Sequence, residues 1–341
     1  MSSLKNKVIL VTGCAGFIGF HTTIKLLSKK YTVVGIDNLN NYYDKSLKKS
    51  RLKEILKKLK INKKKFIFFK NDINNRKAIY KLFKRFKFYK VFHLAAQAGV
   101  RNSINKPYDY FSTNLFGFCN ILNNCKSFKT KHFIFASSSS VYGGENKFPY
   151  KETPASGDRP IQLYAATKRS NEILAYSYSH LYKMKITGLR FFTVYGPWGR
   201  PDMAIFKFTK KILENKDIEI YNHGNHYRDF TYIDDIVNGV IKSSFRKDSK
   251  NKKLRTNLEI LNIGYGSPAK LMNCINLIEK HLGKKAKKKF LSIQKGDMHK
   301  TFASTKKIKK LLNYKTTVNL NEGIKRFVLW YKNYYYNNHV K

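Results

Sequence analysis

The sequence predicts an α/β fold, in which a doubly wound parallel sheet is followed by a smaller, mixed α/β domain. As far as about Pro197, short apolar runs alternate with segments of helical spacing, and strands separated by helices are expected to pair in parallel through right-handed crossovers. A glycine-rich turn joins the first strand to the first helix, a connection that such sheets use to bind phosphate. With 341 residues, 42% of them hydrophobic, the chain can bury a large core.

The elements follow one another along the chain. Strands are predicted at 8–11, 31–37, 66–69, 91–94, 132–136 and 186–189, and helices at 17–30, 45–60, 74–87, 107–126 and 162–183. A helix near 233–245 and a strand near 258–263 are expected to rejoin the first domain. We therefore expect residues 1–196 and about 230–265 to form the doubly wound domain. The second domain is then 197–229 and about 266–341.

Composition excludes several classes of function. The net charge is +47, but the lysines are spread along the whole chain and only 12 of the 68 basic residues are Arg. Lysine runs of this kind are usually solvated, so no nucleic-acid partner is expected. No apolar run has the ~18–20 residues of a membrane span, and the first residues do not have the layout of a signal peptide. The four cysteines lack metal-ligand spacing, so we expect no metal and a reducing, cytoplasmic setting.

The first chemical motif is the turn Gly13-Cys-Ala-Gly16-Phe-Ile-Gly19, between a strand and a helix. Glycines let the backbone approach a pyrophosphate, and a helix N-terminus favours negative charge. Asp37 ends the second strand, where a carboxylate accepts hydrogen bonds from an adenosine ribose and repels a 2′-phosphate. The motif therefore indicates NAD rather than NADP; the alternative is a purely structural turn.

The second motif is Tyr164-Ala-Ala-Thr-Lys168, whose tyrosine and lysine share one face of a helix. A free tyrosine has a pKa near ~10 and is a poor base at neutral pH. A nearby ammonium and a positively charged nicotinamide would lower that pKa, so the phenolate could take a proton from a sugar hydroxyl. This spacing often arises by chance, and it becomes specific only behind a dinucleotide turn.

Longer blocks carry a family resemblance. They are DNLNNYYD (37–44), HLAAQAGVR (93–101), SSSSVYG (137–143), YAATK (164–168), RFFTVYGPWGRPDMA (190–204) and RDFTYIDDIV (228–237). From LVTGCAGFIG to GDMHKT, the sequence resembles the extended short-chain dehydrogenases/reductases that act on nucleotide sugars, and among them the UDP-glucuronate 4-epimerases. The resemblance implies a Rossmann-type fold, NAD as cofactor, UDP-glucuronate as substrate and a homodimer. It also implies inversion at C4 through a 4-keto intermediate.

The resemblance also implies roles for individual residues. The catalytic set is Tyr164, Lys168 and Ser138. The cofactor set is Gly13, Gly16, Phe17, Ile18, Gly19, Asp37, Asn38, Asp72, Ile73, Leu94, Ala95, Ala96, Asn114, Tyr164 and Lys168. The substrate set is Arg101, Ser138, Ser139, Ser140, Thr193, Arg200, Arg228 and Asp297. In this set, Arg200 and Arg228 are expected near the diphosphate or uridine and Asp297 near the UDP ribose; a surface ion pair is the alternative for any one arginine.

The residues before Val-Tyr-Gly bear on the type of reaction. Related 4,6-dehydratases have an Asp-Glu pair there and related decarboxylases a Glu, whereas this chain has Ser139 and Ser140. Neutral hydroxyls cannot do the acid–base work of elimination. Our hypothesis is that Ser139, Ser140 and Thr193 hold the substrate carboxylate so that the β-keto acid does not lose CO2; alternatively, the serines only satisfy backbone groups.

Other functions stay open at this point. The enzyme could be a UDP-glucose or UDP-N-acetylhexosamine 4-epimerase, a UDP-glucuronate decarboxylase, or an epimerase that also inverts C5. A non-catalytic protein that binds nucleotide sugar or RNA has only the basic composition in its favour.

Overall fold

The computed structural model describes residues 7–58, 65–246, 256–294 and 297–336. Its strands are β1 (Val8–Thr12), β2 (Thr32–Asp37), β3 (Phe66–Lys70), β4 (Lys90–His93), β5 (His132–Ser138), β6 (Ile186–Phe191), β7 (Thr193–Tyr195), β8 (Ile218–Tyr221), β9 (Tyr227–Arg228), β10 (Phe230–Tyr232), β11 (Leu258–Ile263), β12 (Ala269–Lys270), β13 (Lys288–Leu291) and β14 (Lys300–Thr301).

The helices lie between these strands. They are α1 (Phe17–Ser28), α2 (Lys45–Lys58), α3 (Arg76–Phe86), α4 (Val100–Asn105), α5 (Pro107–Tyr110), α6 (Phe118–Ser127), α7 (Leu163–Tyr182), α8 (Ala204–Leu213), α9 (Ile233–Ser243), α10 (Leu271–Leu282), α11 (Lys306–Leu312) and α12 (Leu320–Tyr335). A π-helical turn, Phe111–Gly117, joins α5 to α6, and short 3₁₀ turns follow β5 and β8.

The described strands form a main sheet of seven in the order β11-β6-β5-β4-β1-β2-β3. Every neighbouring pair in this sheet is parallel. The order reverses between β1 and β4, and ligands of open α/β sheets bind at such a switch point, beyond the carboxyl ends of the strands. The predicted fold class, a Rossmann-type doubly wound sheet, is confirmed.

Both faces of the main sheet are covered, as expected for a parallel sheet. Side chains alternate along each strand, so Ile9 and Val11 join a core cluster with Phe20 of α1 and Ile236 of α9. Leu10 points to the opposite cluster, which α3, α6 and α7 complete. Full burial of one such side chain stabilises the fold by roughly 1.5–3 kcal/mol. The two core clusters, one on each face of the sheet, therefore hold the strand ends in place at the switch point.

The remaining strands form three small sheets near those strand ends. β7 pairs with β10, β8 pairs with β13, and β9 lies between β12 and β14. β11 pairs with β6, so the chain returns to the main sheet after these first small strands. The division into two domains at residue 196 stays a prediction. Within the described ranges, no helix has the length and apolar character needed to cross a membrane.

Within the predicted doubly wound domain, the predicted elements differ from the observed ones mainly inside one helix; no individual elements were predicted for residues 197–229 and 266–341. The spacing predicted a single helix over 107–126, and the structure has a continuous helical segment there that widens into the π-helical turn. The helix predicted over 45–60 is described as α2; residues 59 and 60 lie outside the described residues. Helices α4, α8, α10, α11 and α12 were not predicted.

Candidate active site

A cleft of about 960 Å³ opens above the carboxyl ends of the main strands. Residues that follow β1, β2, β4, β5 and β6 all line it, so it lies at the switch point. The predicted site residues in its walls are Gly13, Gly16, Phe17, Ile18, Gly19, Asp37, Asn38, Ile73, Leu94, Ala95, Ala96, Arg101, Ser138, Ser139, Ser140, Tyr164, Lys168, Thr193, Arg200, Arg228 and Asp297. Asp72 and Asn114 are not among the lining residues, but each is hydrogen-bonded to a residue that is, Asn38 and Gln97 respectively.

The glycine turn is compact because its glycines leave no room for side chains. Gly13 has φ of +71°, and a Cβ there would lie 2.7 Å from the backbone nitrogen of Ala95. A Cβ on Gly19 would come within 2.0 Å of the Gly13 carbonyl oxygen. The Gly16 amide donates to that same carbonyl at 2.9 Å, immediately before α1 begins. The turn therefore presents backbone and a helix N-terminus to the cleft, as a pyrophosphate requires.

Asp37 is almost fully buried at the end of β2. Its carboxylate accepts hydrogen bonds from the amides of Ala15 at 3.1 Å and Leu39 at 2.9 Å. Burial raises the pKa of Asp37, whereas the Leu39 amide and the nearby Lys48 ammonium lower it. This carboxylate faces the cleft beside the turn, where a ribose diol could bind.

Asp72 acts through its neighbour. Its Oδ2 accepts a hydrogen bond of 2.8 Å from the Asn38 side chain, and its Oδ1 accepts one from the Asn74 amide. Asp72 thus holds Asn38, which lines the cleft. Among the described residues, no His, Cys, Asp and Glu side chains are grouped as a metal site would need.

Tyr164 and Lys168 face the cleft from α7, one turn apart. The Lys168 ammonium is buried and donates to the Ala136 carbonyl of β5 at 2.9 Å; burial lowers the pKa of Lys168 to about 8. Burial raises the pKa of Tyr164, whereas the Arg200 charge and a hydrogen bond with Ser138 lower it. In the protein alone, Arg200 has the largest lowering effect on the pKa of Tyr164; that Lys168 lowers it as well stays a prediction.

Asn114 fixes the cleft wall from the π-helical turn. Its side chain donates to the Gln97 carbonyl at 3.0 Å and accepts from the Gln97 amide at 2.8 Å. It also donates to the Thr167 hydroxyl of α7 at 3.1 Å. One amide in the π-helical turn therefore joins the segment after β4 to the helix that carries Tyr164.

The four serines do not share one environment. Ser137 is buried and donates to Glu172 at 2.6 Å. Ser138 caps the 3₁₀ turn, accepting from the Ser140 amide at 3.2 Å and from the Ser140 hydroxyl at 2.9 Å. The Ser140 hydroxyl thus supports Ser138, and Ser138 lowers the pKa of the nearby Tyr164.

Arg101 and Arg228, two of the predicted substrate arginines, line the cleft together with Asp297. Arg101 of α4 donates to Asp297 at 3.1 Å, so two predicted residues that are 196 positions apart meet. Arg228 donates to the carbonyls of Tyr227 and His299, and burial lowers the pKa of Arg228 while Asp297 opposes that shift.

Four further residues shape the cleft and were missed by sequence reasoning. Asp202 accepts from Arg200 and from the hydroxyl of Tyr42. Gln97 borders the cleft beside Asn114, and Arg51 is fully buried, donating to the Ala15 carbonyl at 2.8 Å and the Trp198 carbonyl at 2.7 Å. Tyr42, Gln97 and Asp202 all lie inside the motif blocks, so the blocks were the signal that could have found them.

The family model, the relatives and the solved structures that this chain resembles agree with one another. A family model described as GDP-mannose 4,6 dehydratase matches residues 10–327. An uncharacterised protein of Methanocaldococcus jannaschii is 50% identical over 331 residues, covering 96% of this chain and 97% of that protein. UDP-glucuronate 4-epimerase 4 of Arabidopsis thaliana is 44% identical over 337 residues, covering 96% of this chain and 76% of that protein.

Solved structures include the UDP-glucuronic acid 4-epimerase of Bacillus cereus, in complex with UDP-glucuronic acid and NAD. Its TM-score is 0.85 at 36% sequence identity, and the match covers 96% of this chain and 100% of that chain.

Proposed function

The chain belongs to the family described as GDP-mannose 4,6 dehydratase, within the extended short-chain dehydrogenases/reductases, and from this premise we propose that it is an NAD-dependent UDP-glucuronate 4-epimerase. Relatives of that name in Arabidopsis thaliana and Bacillus cereus support the proposal. The Bacillus cereus structure contains both NAD and UDP-glucuronic acid, the two ligands that the motifs and hydroxyls of this cleft would accommodate.

The residues of the cleft fit a dinucleotide. The turn at Gly13 and Gly16 would hold the pyrophosphate against the start of α1, and Asp37 would accept hydrogen bonds from the adenosine ribose. When bound, NAD supplies a hydride acceptor that also returns the hydride. The Asp37 carboxylate would repel a 2′-phosphate, which favours NAD over NADP.

Proton transfer at the sugar falls to Tyr164. In this proposal its phenolate oxygen takes the proton of the 4-hydroxyl, and it gives that proton back after the ring has turned over. Ser138 donates a hydrogen bond to the 4-oxygen beside Tyr164, while the Ser140 hydroxyl donates to Ser138. Lys168, fixed by the Ala136 carbonyl, keeps a positive charge behind the tyrosine.

The observation that carries the choice of reaction is the row of hydroxyls beside Tyr164. Ser139 and Ser140 follow β5 and Thr193 begins β7, and all three line the cleft. A dehydratase or decarboxylase of this family would have carboxylates before Val-Tyr-Gly. Neutral hydroxyls can instead donate hydrogen bonds to a substrate carboxylate, which an acidic residue would repel.

The nucleotide must stay anchored while the sugar turns. Arg200 and Arg228 line the cleft, and a guanidinium can grip phosphate with two parallel hydrogen bonds. We propose that they hold the diphosphate or uridine, with Asp297 at the UDP ribose. Arg101, which is paired with Asp297, would close the same end.

The test is product analysis. Purified protein is incubated with UDP-glucuronate and NAD, without added reductant, and the sugar is followed by proton NMR. UDP-galacturonate is the expected product, and Tyr164→Phe, which removes one oxygen, should abolish its formation. UDP-xylose would mean decarboxylation and would refute the proposed use of the hydroxyls. Interconversion of neutral UDP-hexoses alone would identify a different epimerase.

We also infer a homodimer and a cytosolic setting. Exposed apolar side chains on adjacent helices support the dimer, including Tyr108, Phe116 and Leu181. All four cysteines are unpaired and three of them are buried, which fits a reducing compartment.

A further inference from the structure

The loop after β2 spans the cleft from one wall to the other. We call residues 38–44 of this loop the strap. The Tyr42 hydroxyl donates to Asp202 Oδ2 at 3.1 Å, and the Asn40 side chain donates to Gln97 Oε1 at 3.4 Å. Asp202 lies in the segment after β7, and Gln97 lies in the segment after β4. The strap, which follows β2, is therefore hydrogen-bonded to both of these segments.

Gly99 shows that the crossing is built into the opposite wall. Its φ is +100°, and a Cβ at this position would lie 2.1 Å from the Tyr42 hydroxyl oxygen. Any side chain at residue 99 would therefore push the tyrosine away, and the glycine makes room for its tip.

The near end of the strap is held by two buried cations of α2. Lys48 donates to the Asn40 carbonyl at 3.0 Å and to Asn40 Oδ1 at 2.7 Å. Arg51 donates to the Tyr43 hydroxyl at 2.6 Å. Because both cations are almost fully buried, they hold the strap on the α2 side, and the contact between Tyr42 and Asp202 is the one that must break for the cleft to open.

Asn38, Asn40 and Tyr42 line the same cleft as the glycine turn and Tyr164. A dinucleotide lying on the turn would therefore have the strap across it. We propose that Tyr42 is a positioning residue that closes the strap over the cofactor through Asp202 and retains the reduced cofactor until the hydride has returned to the sugar.

This inference rests on the proposed function, because an epimerase must keep its reduced cofactor bound until the hydride has returned to the sugar. In an epimerisation the cofactor is reduced only between the two hydride transfers. Escape of the reduced cofactor at that moment would leave the sugar stranded as a ketone and the protein unable to finish the cycle. A dehydrogenase releases its reduced cofactor every turnover, so a closed strap suits an epimerase and not a dehydrogenase.

The experiment measures cofactor release without any sugar. Protein is loaded with NADH and mixed with a large excess of NAD, and the loss of bound NADH fluorescence gives the dissociation rate. Tyr42→Phe should release NADH about tenfold faster than the wild type, which corresponds to about 1.4 kcal/mol. The matched control is Tyr43→Phe, whose hydroxyl bonds within the near end of the strap; its rate should stay within about twofold of wild type.

Equal rates for Tyr42→Phe and the wild type would overturn the inference, as would an equal acceleration in both variants. Tyr42→Ala provides a second variant, and the thermal melting of each cofactor-free protein shows that the fold is retained. Since no UDP-sugar is present, the rates are interpretable whichever sugar the protein converts. A failed NMR assay with a slow, Tyr42-dependent release would refute the substrate and leave the strap standing.

Discussion

The serines at the end of β5 do different work because successive side chains of a strand point to opposite faces. Ser137 turns into the interior and binds Glu172, whereas Ser138 faces the cleft and Tyr164. Beyond the strand, the 3₁₀ turn brings the Ser140 hydroxyl back onto Ser138. The identical residues thus have three different roles. Ser137 makes a structural contact, Ser138 faces the reacting groups, and Ser140 supports Ser138.

Thr193 should decide whether the proposed keto acid survives. Oxidation at C4 gives a β-keto acid, which loses CO2 when its C5–carboxylate bond aligns with the carbonyl π system. We expect Thr193→Ala to increase decarboxylated UDP-pentose by about tenfold or more, because a hydrogen bond to a charged group contributes about 1.5–3 kcal/mol. Proton NMR of the UDP-sugars during turnover measures the ratio of products.

Thr193→Ser is the control, since it keeps the hydroxyl and removes one methyl group. Its product ratio should match that of the wild type. If Thr193→Ala lost turnover without any UDP-pentose, the restraint of the carboxylate would be disproved.

At the scale of elements, α7 is tied to β6 by a buried ion pair. Glu172 accepts two hydrogen bonds from Arg190, at 2.9 and 2.8 Å, and also binds Ser137 and Arg169. Burial opposes ionisation, but Arg190 outweighs it and lowers the pKa of Glu172. This tie helps to fix the helix that carries Tyr164 against the sheet.

Removal of one partner from that pair should be costly. Glu172→Ala leaves Arg190 buried without its carboxylate, and we expect the free energy of unfolding to fall by about 3–5 kcal/mol. Urea denaturation at pH 7 measures this. Glu214→Ala removes an exposed pair with Lys216 and should cost less than about 1 kcal/mol; comparable losses in the two variants would contradict the account.

Two histidines of neighbouring strands predict how stability depends on pH. Burial, and then Lys168, lowers the pKa of His93 in β4 to about 3. Burial also lowers the pKa of His132 in β5 to about 3, with Arg246 and two lysines adding to the shift. Since an unfolded histidine titrates near ~6.5, the unfolded chain binds more protons between these values, and stability falls as the pH falls.

From pH 7.5 to 5.5, each histidine should remove about 1.4 kcal/mol from the free energy of unfolding. Urea denaturation at the two pH values measures the change. His93→Gln and His132→Gln should each reduce it by about one histidine's share. An unchanged pH dependence in both variants would show that other groups cause the acid sensitivity.

Element positions were predictable from the sequence where the pattern is local. The strand at 132–136 and the helix at 162–183 agree with the observed β5 and α7, because apolar runs and helical spacing report burial directly. The π-helical turn was not predictable, since it adds no change of composition. In the structure this turn carries Asn114, whose side-chain amide donates to both Gln97 and Thr167.

At the scale of the whole molecule, the motif blocks predicted which residues face one cleft but not how they pair. Arg101 and Asp297 meet although they are 196 positions apart in the chain, and no spacing rule connects them. The same holds for Tyr42 and Asp202, which stand in separate blocks. Contacts of this kind depend on how the small sheets pack over the main sheet. The sequence pattern of either segment alone does not contain that information.

An exposed apolar face covers two adjacent helical segments on one side of the molecule. Tyr108 of α5 is 83% exposed, Phe116 of the π-helical turn 73% and Leu181 of α7 65%. Large exposed apolar side chains on helices that pack together indicate an interaction site, and a second copy of the chain is the partner that we propose. A stable dimer buries roughly 800 Å² per partner, an area that two long helices can supply.

Phe116→Asp should therefore shift the protein from dimer to monomer, because the dimer would have to bury a new charge. Sedimentation velocity at micromolar concentration measures the mass, and 39.9 kDa is expected for the monomer. Leu329→Asp on α12 is the control, since Leu329 is 59% exposed and lies outside this face; it should leave the dimer intact. A wild-type protein that sediments as a monomer, or equal dissociation in both variants, would rule out this face as the interface.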